Sequence, residues 1–244
     1  MELRKMIAKP LKISGIPAIL WGGKSDGIYI YVHGKLSCKE NAEGFAEIAT
    51  RRGFQVLSFD LPEHGERKNA DYPCTVQNGV RDLTLIGNHV RETWPDIHVF
   101  AESLGAYFSL LAYRDYPLGS CLFLSPILDM ERLIKNMMQE CGVSEEMLAE
   151  KGKIPTPMGE TLDWDYYSYV RDHPVERWDV PTAILYGSDD TLTGRDVIDT
   201  FSRRFGCELT VMQNGEHYFH TKEQLAVLGQ WLETHIHNRQ PGMK

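Results

Sequence analysis

A regular alternation constrains this chain more than any other feature of it. Short apolar runs rich in β-branched and aromatic residues exchange with longer stretches whose apolar residues recur at helical spacing. The short runs are Gly27–Val32 (GIYIYV), Gln55–Asp60 (QVLSFD), Asp96–Ala101, Ser120–Ser125, Thr182–Tyr186 (TAILY) and Cys207–Met212. Between them lie Glu40–Arg52 (closed by Gly53), Val76–Trp94, Leu104–Tyr113, Asp196–Arg204 and Lys222–Ile236. In Val76–Trp94 the residues Val80, Leu83, Ile86, Val90 and Trp94 mark one helical face. A strand that is apolar along its whole length has both faces covered. The alternation therefore predicts an α/β fold with a mostly parallel central sheet and helices on both faces. Ahead of it, Met6–Ile13 and Pro17–Trp21 are joined by Ser14-Gly15 and read as a hairpin.

One region breaks the rhythm. From Leu128 to Val180 no clear strand is visible, but Met130–Cys141 and Ser144–Glu150 have helical patterns. A Pro/Gly/aromatic segment follows, containing Ile154-Pro155-Thr156-Pro157 and Trp164-Asp165-Tyr166-Tyr167-Ser168-Tyr169. This stretch is too short for a core of its own and reads as a helical cap inserted over one end of the sheet, or else as an elaborate crossover. The expected division is a core of residues 1–127 and 181–244 with a cap of residues 128–180.

Bulk properties narrow the partners. With 244 residues the chain suffices for one large domain. A net charge of −8 and scattered Lys and Arg argue against a nucleic-acid partner. No apolar run approaches the ~20 residues of a membrane span. Met1-Glu2-Leu3-Arg4-Lys5 is followed by no apolar signal region, and the five cysteines are odd in number with no C-x-x-C pair. Both point to a cytoplasmic setting. No glycine-rich phosphate or dinucleotide loop occurs, so no cofactor is expected. His217 with His220, or His235 with His237, would need further ligands to hold a metal, and none is expected.

Chemistry concentrates in four loops. Ser103 stands between a predicted strand and a predicted helix, with Ala101 two residues before it and Gly105 two after. Small flanks permit a sharp turn that lifts a hydroxyl above the sheet, although a serine N-cap in a small-residue turn gives the same pattern. A serine nucleophile needs a base, and the base needs an orienting carboxylate. Gly187-Ser188-Asp189-Asp190 follows one strand and Gly215-Glu216-His217 follows the next, so Ser103, Asp190 and His217 all lie beyond the carboxyl ends of strands. In Tyr31-Val32-His33-Gly34-Lys35 the Lys35 N–H, together with that of Leu104, can stabilise developing negative charge, while His33 props the loop.

Taken together these motifs resemble the α/β-hydrolase superfamily: His33-Gly34, Asp60-Leu61-Pro62-Glu63-His64-Gly65, Ala101-Glu102-Ser103-Leu104-Gly105, Gly187-x-x-Asp190 and Gly215-x-His217, in that order. The likeness runs from about Ile28 to Ile236. It implies Ser103 as nucleophile, His217 as general base and then acid, Asp190 as its partner, and Lys35 and Leu104 as oxyanion donors. Asp189 competes with Asp190, and Asp129 sits where some members carry the acid. Glu102 is open to a salt bridge, a solvated position or a bias against anionic substrates. The cap is similar to those of cinnamoyl and feruloyl esterases and monoacylglycerol lipases, with Trp164, Tyr166, Tyr167 and Tyr169 as a substrate lining. A small-to-medium acyl ester is the expected substrate. Acyl transfer, thioester or amide cleavage, and slow-turnover ligand sensing are the alternatives.

Overall fold

The computed structural model describes residues 6–239; Met1–Lys5 and residues 240–244 lie outside them. Ser14 (φ 50°) and Gly15 (φ 86°) make the tight turn between β1 (Ala8–Ile13) and β2 (Ile16–Trp21), which pair antiparallel. Positive φ at both central residues matches the twist of the flanking strands. The chain then runs through β3 (Gly27–Val32), a short 3-10 turn (Lys39–Ala42), α1 (Glu43–Arg51), β4 (Gln55–Phe59), α2 (Val76–Thr93), β5 (Asp96–Glu102), α3 (Leu104–Ala112) and β6 (Ser120–Leu124). After an insertion come β9 (Thr182–Gly187), α7 (Arg195–Phe205), β10 (Glu208–Met212) and α8 (Lys222–His235).

Eight strands form one sheet in the order β1-β2-β4-β3-β5-β6-β9-β10, parallel from β4 onward. The period-2 geometry of β3 divides its side chains between two cores. Ile28, Ile30 and Val32 belong to the core that holds residues of α2, α3 and α7, whereas Tyr29 and Tyr31 belong to the one that holds residues of α1 and α8. Helices thus cover both faces, as the apolar strands predicted. The helix expected over Glu40–Arg52 opens instead with the 3-10 turn, because Lys39 is drawn onto Asp60: its N–H and its Nζ each lie 2.9 Å from that carboxylate.

The insertion differs from its sequence expectation. It forms α4 (Met130–Glu140), α5 (Glu145–Lys151), a hairpin of β7 (Lys153–Pro155) and β8 (Thr161–Asp163), and α6 (Trp164–Asp172). The hairpin strands are three residues long and carry a proline, which leaves no periodic signal. The start of α6 is set by Asp163, whose carboxylate accepts the Tyr166 N–H at 3.0 Å. Leu148, Leu162, Tyr167 and Val170 join the same core as α2, α3 and α7. Among the described residues no helix is long and apolar enough to cross a membrane.

The carboxyl ends of β9 and β10 approach closely. A Cβ on Gly187 would stand 2.3 Å from the Gly215 carbonyl oxygen and 2.7 Å from that of Glu216. Gly187→Ala is therefore expected to destabilise by about 2 kcal/mol, the usual cost of overpacking against rigid backbone. Urea titration measures this, and an unchanged midpoint would contradict the packing.

Candidate active site

Ser103 occupies φ 48°, ψ −117°, a sparsely populated conformation for a residue with a Cβ. Such strain costs on the order of 1–3 kcal/mol and persists only where the surroundings enforce it. Here the Ser103 N–H donates to Leu124 O at 3.1 Å, and the Ile127 N–H donates to Ser103 O at 3.2 Å. The small flanks have a visible cause. A Cβ on Gly105 would lie 2.5 Å from the carbonyl oxygens of both Val32 and His33, and one on Gly34 would lie 3.2 Å from Ser103 Cβ.

The three side chains expected to act together are in contact. His217 Nδ1 is 2.7 Å from Asp190 Oδ2, and His217 Nε2 is 2.8 Å from Ser103 Oγ. Asp190 is an acceptor whose side chain is fully shielded from solvent, and its other oxygen takes the N–H groups of Leu192 at 2.8 Å and Thr193 at 3.0 Å. The carboxylate therefore holds the ring hydrogen on Nδ1 and leaves Nε2 free to accept from the serine hydroxyl. Asp189 is exposed and accepts the Ser188 hydroxyl at 2.9 Å. Asp129 caps α4 through the Arg132 N–H. Of the three acids, Asp190 is the one bonded to the histidine.

The loop after β3 crosses in front of Ser103. Among the described residues neither the Lys35 N–H nor the Leu104 N–H meets a protein acceptor. His33 Nε2 accepts the Leu61 N–H at 3.0 Å, so Nδ1 carries the proton and donates to Gly34 O at 2.7 Å. On the far side of Lys35, the Leu36 N–H donates to His64 Nε2 at 3.1 Å. The Lys35 ammonium reaches outward to pair with Glu160, between β7 and β8.

No family model matches the chain, and no curated protein matches its sequence. Solved structures do match. Est1E from Butyrivibrio proteoclasticus with bound ferulic acid superposes with a TM-score of 0.74 at 18% identity, covering 93% of this chain and 97% of that one. A putative hydrolase from Agrobacterium vitis S4 gives 0.75 at 14% identity, covering 96% and 100%. Alpha/beta hydrolase domain-containing protein 10 from mouse gives 0.72 at 19% identity, covering 93% and 97%. The chain has the α/β-hydrolase fold.

Within that fold several residues take places that their sequence context left open. Glu102 is in no salt bridge among the described residues; its Oε1 accepts the Tyr31 hydroxyl at 2.9 Å. Burial pushes its carboxyl up to about 7, against the opposing pull of the Tyr31 hydroxyl and the Gly34 N–H. The four aromatic residues of the insertion divide between two faces of α6. Tyr167 is buried against α5 with its hydroxyl on Glu145 at 2.6 Å, and Trp164 packs beside it, ring centroids 5.9 Å apart. Tyr166 and Tyr169 lie on the other face, toward Tyr107 of α3. A single four-residue lining is thus not formed, because residues three apart share a helix face and adjacent ones do not. A cavity of about 320 Å³ lies between α3, α4, α6 and α7, walled by Tyr107, Leu128, Val170, His173 and Phe201; none of Ser103, Asp190 and His217 lines it. Among the described residues no group of three or more His, Cys, Asp or Glu is placed to hold a metal ion. His64 stands in the sequence only as part of the Asp60–Gly65 motif and Glu102 only as an open position; their contacts with Leu36 and Tyr31, 28 and 71 residues away, have no local signature.

Burial lowers the His33 pKa to about 4. Between about pH 4 and the ordinary histidine value of about 6.5, the unfolded chain binds the proton that folded His33 refuses, so this residue makes stability rise with pH across that window. The full effect is about 3 kcal/mol. The stability difference between wild type and His33→Gln should therefore shift by that amount from pH 7 to pH 4, in the direction that favours the variant at low pH. Chemical denaturation at both pH values tests it, and a pH-independent difference would show that His33 is not held neutral.

Proposed function

We propose that the chain is a hydrolase that cleaves carboxylic esters of small-to-medium acyl groups through an acyl-enzyme on Ser103. The observation that carries this reading is the unbroken relay from Asp190 Oδ2 through His217 to Ser103 Oγ, mounted on a strained strand-to-helix turn. In this mechanism His217 Nε2 takes the hydroxyl proton as Ser103 Oγ bonds to the ester carbonyl carbon. Negative charge moves to the carbonyl oxygen, where the N–H groups of Lys35 and Leu104 receive it. As the tetrahedral intermediate collapses, the ester C–O bond breaks and His217 passes its proton to the leaving alkoxide, releasing an alcohol. Water then repeats the sequence on the acyl-enzyme, giving its proton to His217 and returning the acid and free Ser103. Asp190 keeps the imidazole oriented and stabilises its charged form in both halves.

The loops at the site support an ester with an apolar portion. Leu36, Leu192 and Tyr218 are 92%, 45% and 73% exposed, and they stand beside Lys35, Asp190 and His217. Exposed apolar side chains on the loops that carry these residues are available to meet an apolar part of a substrate. Tyr166 and Tyr169 remain the insertion's candidates for contact with substrate, and residues 128–180 would act as the cap. Est1E, which shares the fold, holds ferulic acid, an aromatic carboxylic acid. The five cysteines are all unpaired, in keeping with a cytoplasmic setting.

Hydrolysis of nitrophenyl esters of graded acyl length, by wild type and Ser103→Ala in parallel, tests the reading. Wild type should turn over, best with short and medium chains, and the variant should fall to background. Equal activity in both would remove Ser103 from the mechanism. Asp190→Asn should lower kcat by about 10,000-fold because the imidazole loses its orienting partner. Near-normal turnover would reassign the acid.

A further inference from the structure

Two imidazoles from different loops grip the turn after β3, and they grip it on either side of Lys35. His33 Nδ1–H holds Gly34 O, and His64 Nε2 holds the Leu36 N–H. The two rings lie 5.1 Å apart, centroid to centroid. Because a peptide unit is planar, with its C=O and N–H pointing in opposite directions, fixing Gly34 O aims the Lys35 N–H away from His33. The second grip fixes the next peptide plane. Without it the Lys35–Leu36 unit would be free to rotate and to carry Lys35 with it.

Leu36 needs such a hold. Its φ of 63° is left-handed, which costs a residue with a Cβ about 1–2 kcal/mol. Its side chain is 92% exposed, so its own packing does not offset that strain. The holding contact is the bond from its N–H to His64. That ring is itself fixed: Nδ1 lies 2.7 Å from Pro62 O, a pure acceptor, so Nδ1 bears the hydrogen and Nε2 is bare. The segment carrying it is anchored in turn. The fully buried Asp60 accepts from the Lys39 N–H and Nζ at 2.9 Å and from the Glu66 N–H at 3.0 Å, and its carbonyl oxygen accepts from Arg67 Nη1 at 2.9 Å.

We infer that His64 is a positioning residue for the oxyanion site: by holding Leu36 it keeps the Lys35 N–H aimed at the oxygen that becomes negative during attack by Ser103. The inference rests on the serine mechanism proposed above, and His64 itself touches no reacting atom in it.

His64→Gln and His64→Asn separate this role from general support of the loop. The glutamine amide oxygen reaches the place of Nε2 and accepts the Leu36 N–H. The asparagine amide reaches only the place of Nδ1. The readout is the second-order rate of Ser103 labelling by a fluorophosphonate, whose phosphoryl oxygen takes the oxyanion position whatever ester the protein prefers. Rates are normalised to folded protein, and kcat and KM on a nitrophenyl ester are measured beside them. His64→Asn should slow labelling and kcat together by about 10–100-fold with KM changed less than about twofold, the signature of lost transition-state stabilisation. His64→Gln should stay within about threefold of wild type. Wild-type rates in His64→Asn, or equal losses in the two variants, would overturn the inference. Failure of the wild type to label, or equal labelling of Ser103→Ala, would instead overturn the serine mechanism and this inference with it.

Discussion

Backbone crowding at the carboxyl end of β5 is the constraint from which the rest of the site follows. Ser103 can hold φ 48° and ψ −117° because Gly105 lets α3 begin against the carbonyls of Val32 and His33, and Gly34 lets the loop after β3 lie on Ser103. A methyl group at Gly105 would part these segments, and one at Gly34 would crowd Ser103. The same economy recurs across the sheet, where Gly187 touches Gly215 and brings the loops of Asp190 and His217 within one hydrogen bond of each other. Parallel strands supply the reason that all these loops share one edge, and closely packed backbone supplies the precision.

Several polar groups buried around this edge satisfy one another. His33 stays neutral and bridges the Leu61 N–H to Gly34 O; Asp60 gathers Lys39 and Glu66; Glu102 takes the Tyr31 hydroxyl. Two of these groups lean in opposite directions with pH. The lowered pKa of His33 makes stability rise from about pH 4 to its ordinary value. The raised pKa of Glu102 means that the folded state binds the extra proton between the ordinary carboxyl range and about 7, so its contribution falls as pH rises through that interval. The two slopes oppose each other across much of the same range.

Much of this was legible in the sequence, for physical reasons that differ by element. The parallel sheet was visible because strands covered on both faces are apolar throughout, as in GIYIYV. The order of Ser103, Asp190 and His217 was readable because each follows its strand directly. Preference for Asp190 over Asp189 came from the family resemblance, through its spacing from Gly187; in the structure Asp190 meets His217, and Asp189 turns outward to Ser188. The hairpin of the insertion was invisible because three-residue strands have no period to detect. The division of Trp164, Tyr166, Tyr167 and Tyr169 between two faces became apparent only once Asp163 was seen to start a helix there. His64 and Glu102 act through partners distant in sequence, and such contacts leave no local trace.

In the proposed mechanism the loops after β3 and β5 converge on one developing oxyanion. A crystal structure of the covalent phosphonate adduct tests it most directly. Phosphorus should be bonded to Ser103 Oγ, with its phosphoryl oxygen about 2.7–3.1 Å from both the Lys35 and Leu104 nitrogens. An adduct on another residue, or one whose phosphoryl oxygen points to solvent away from those two N–H groups, would contradict it.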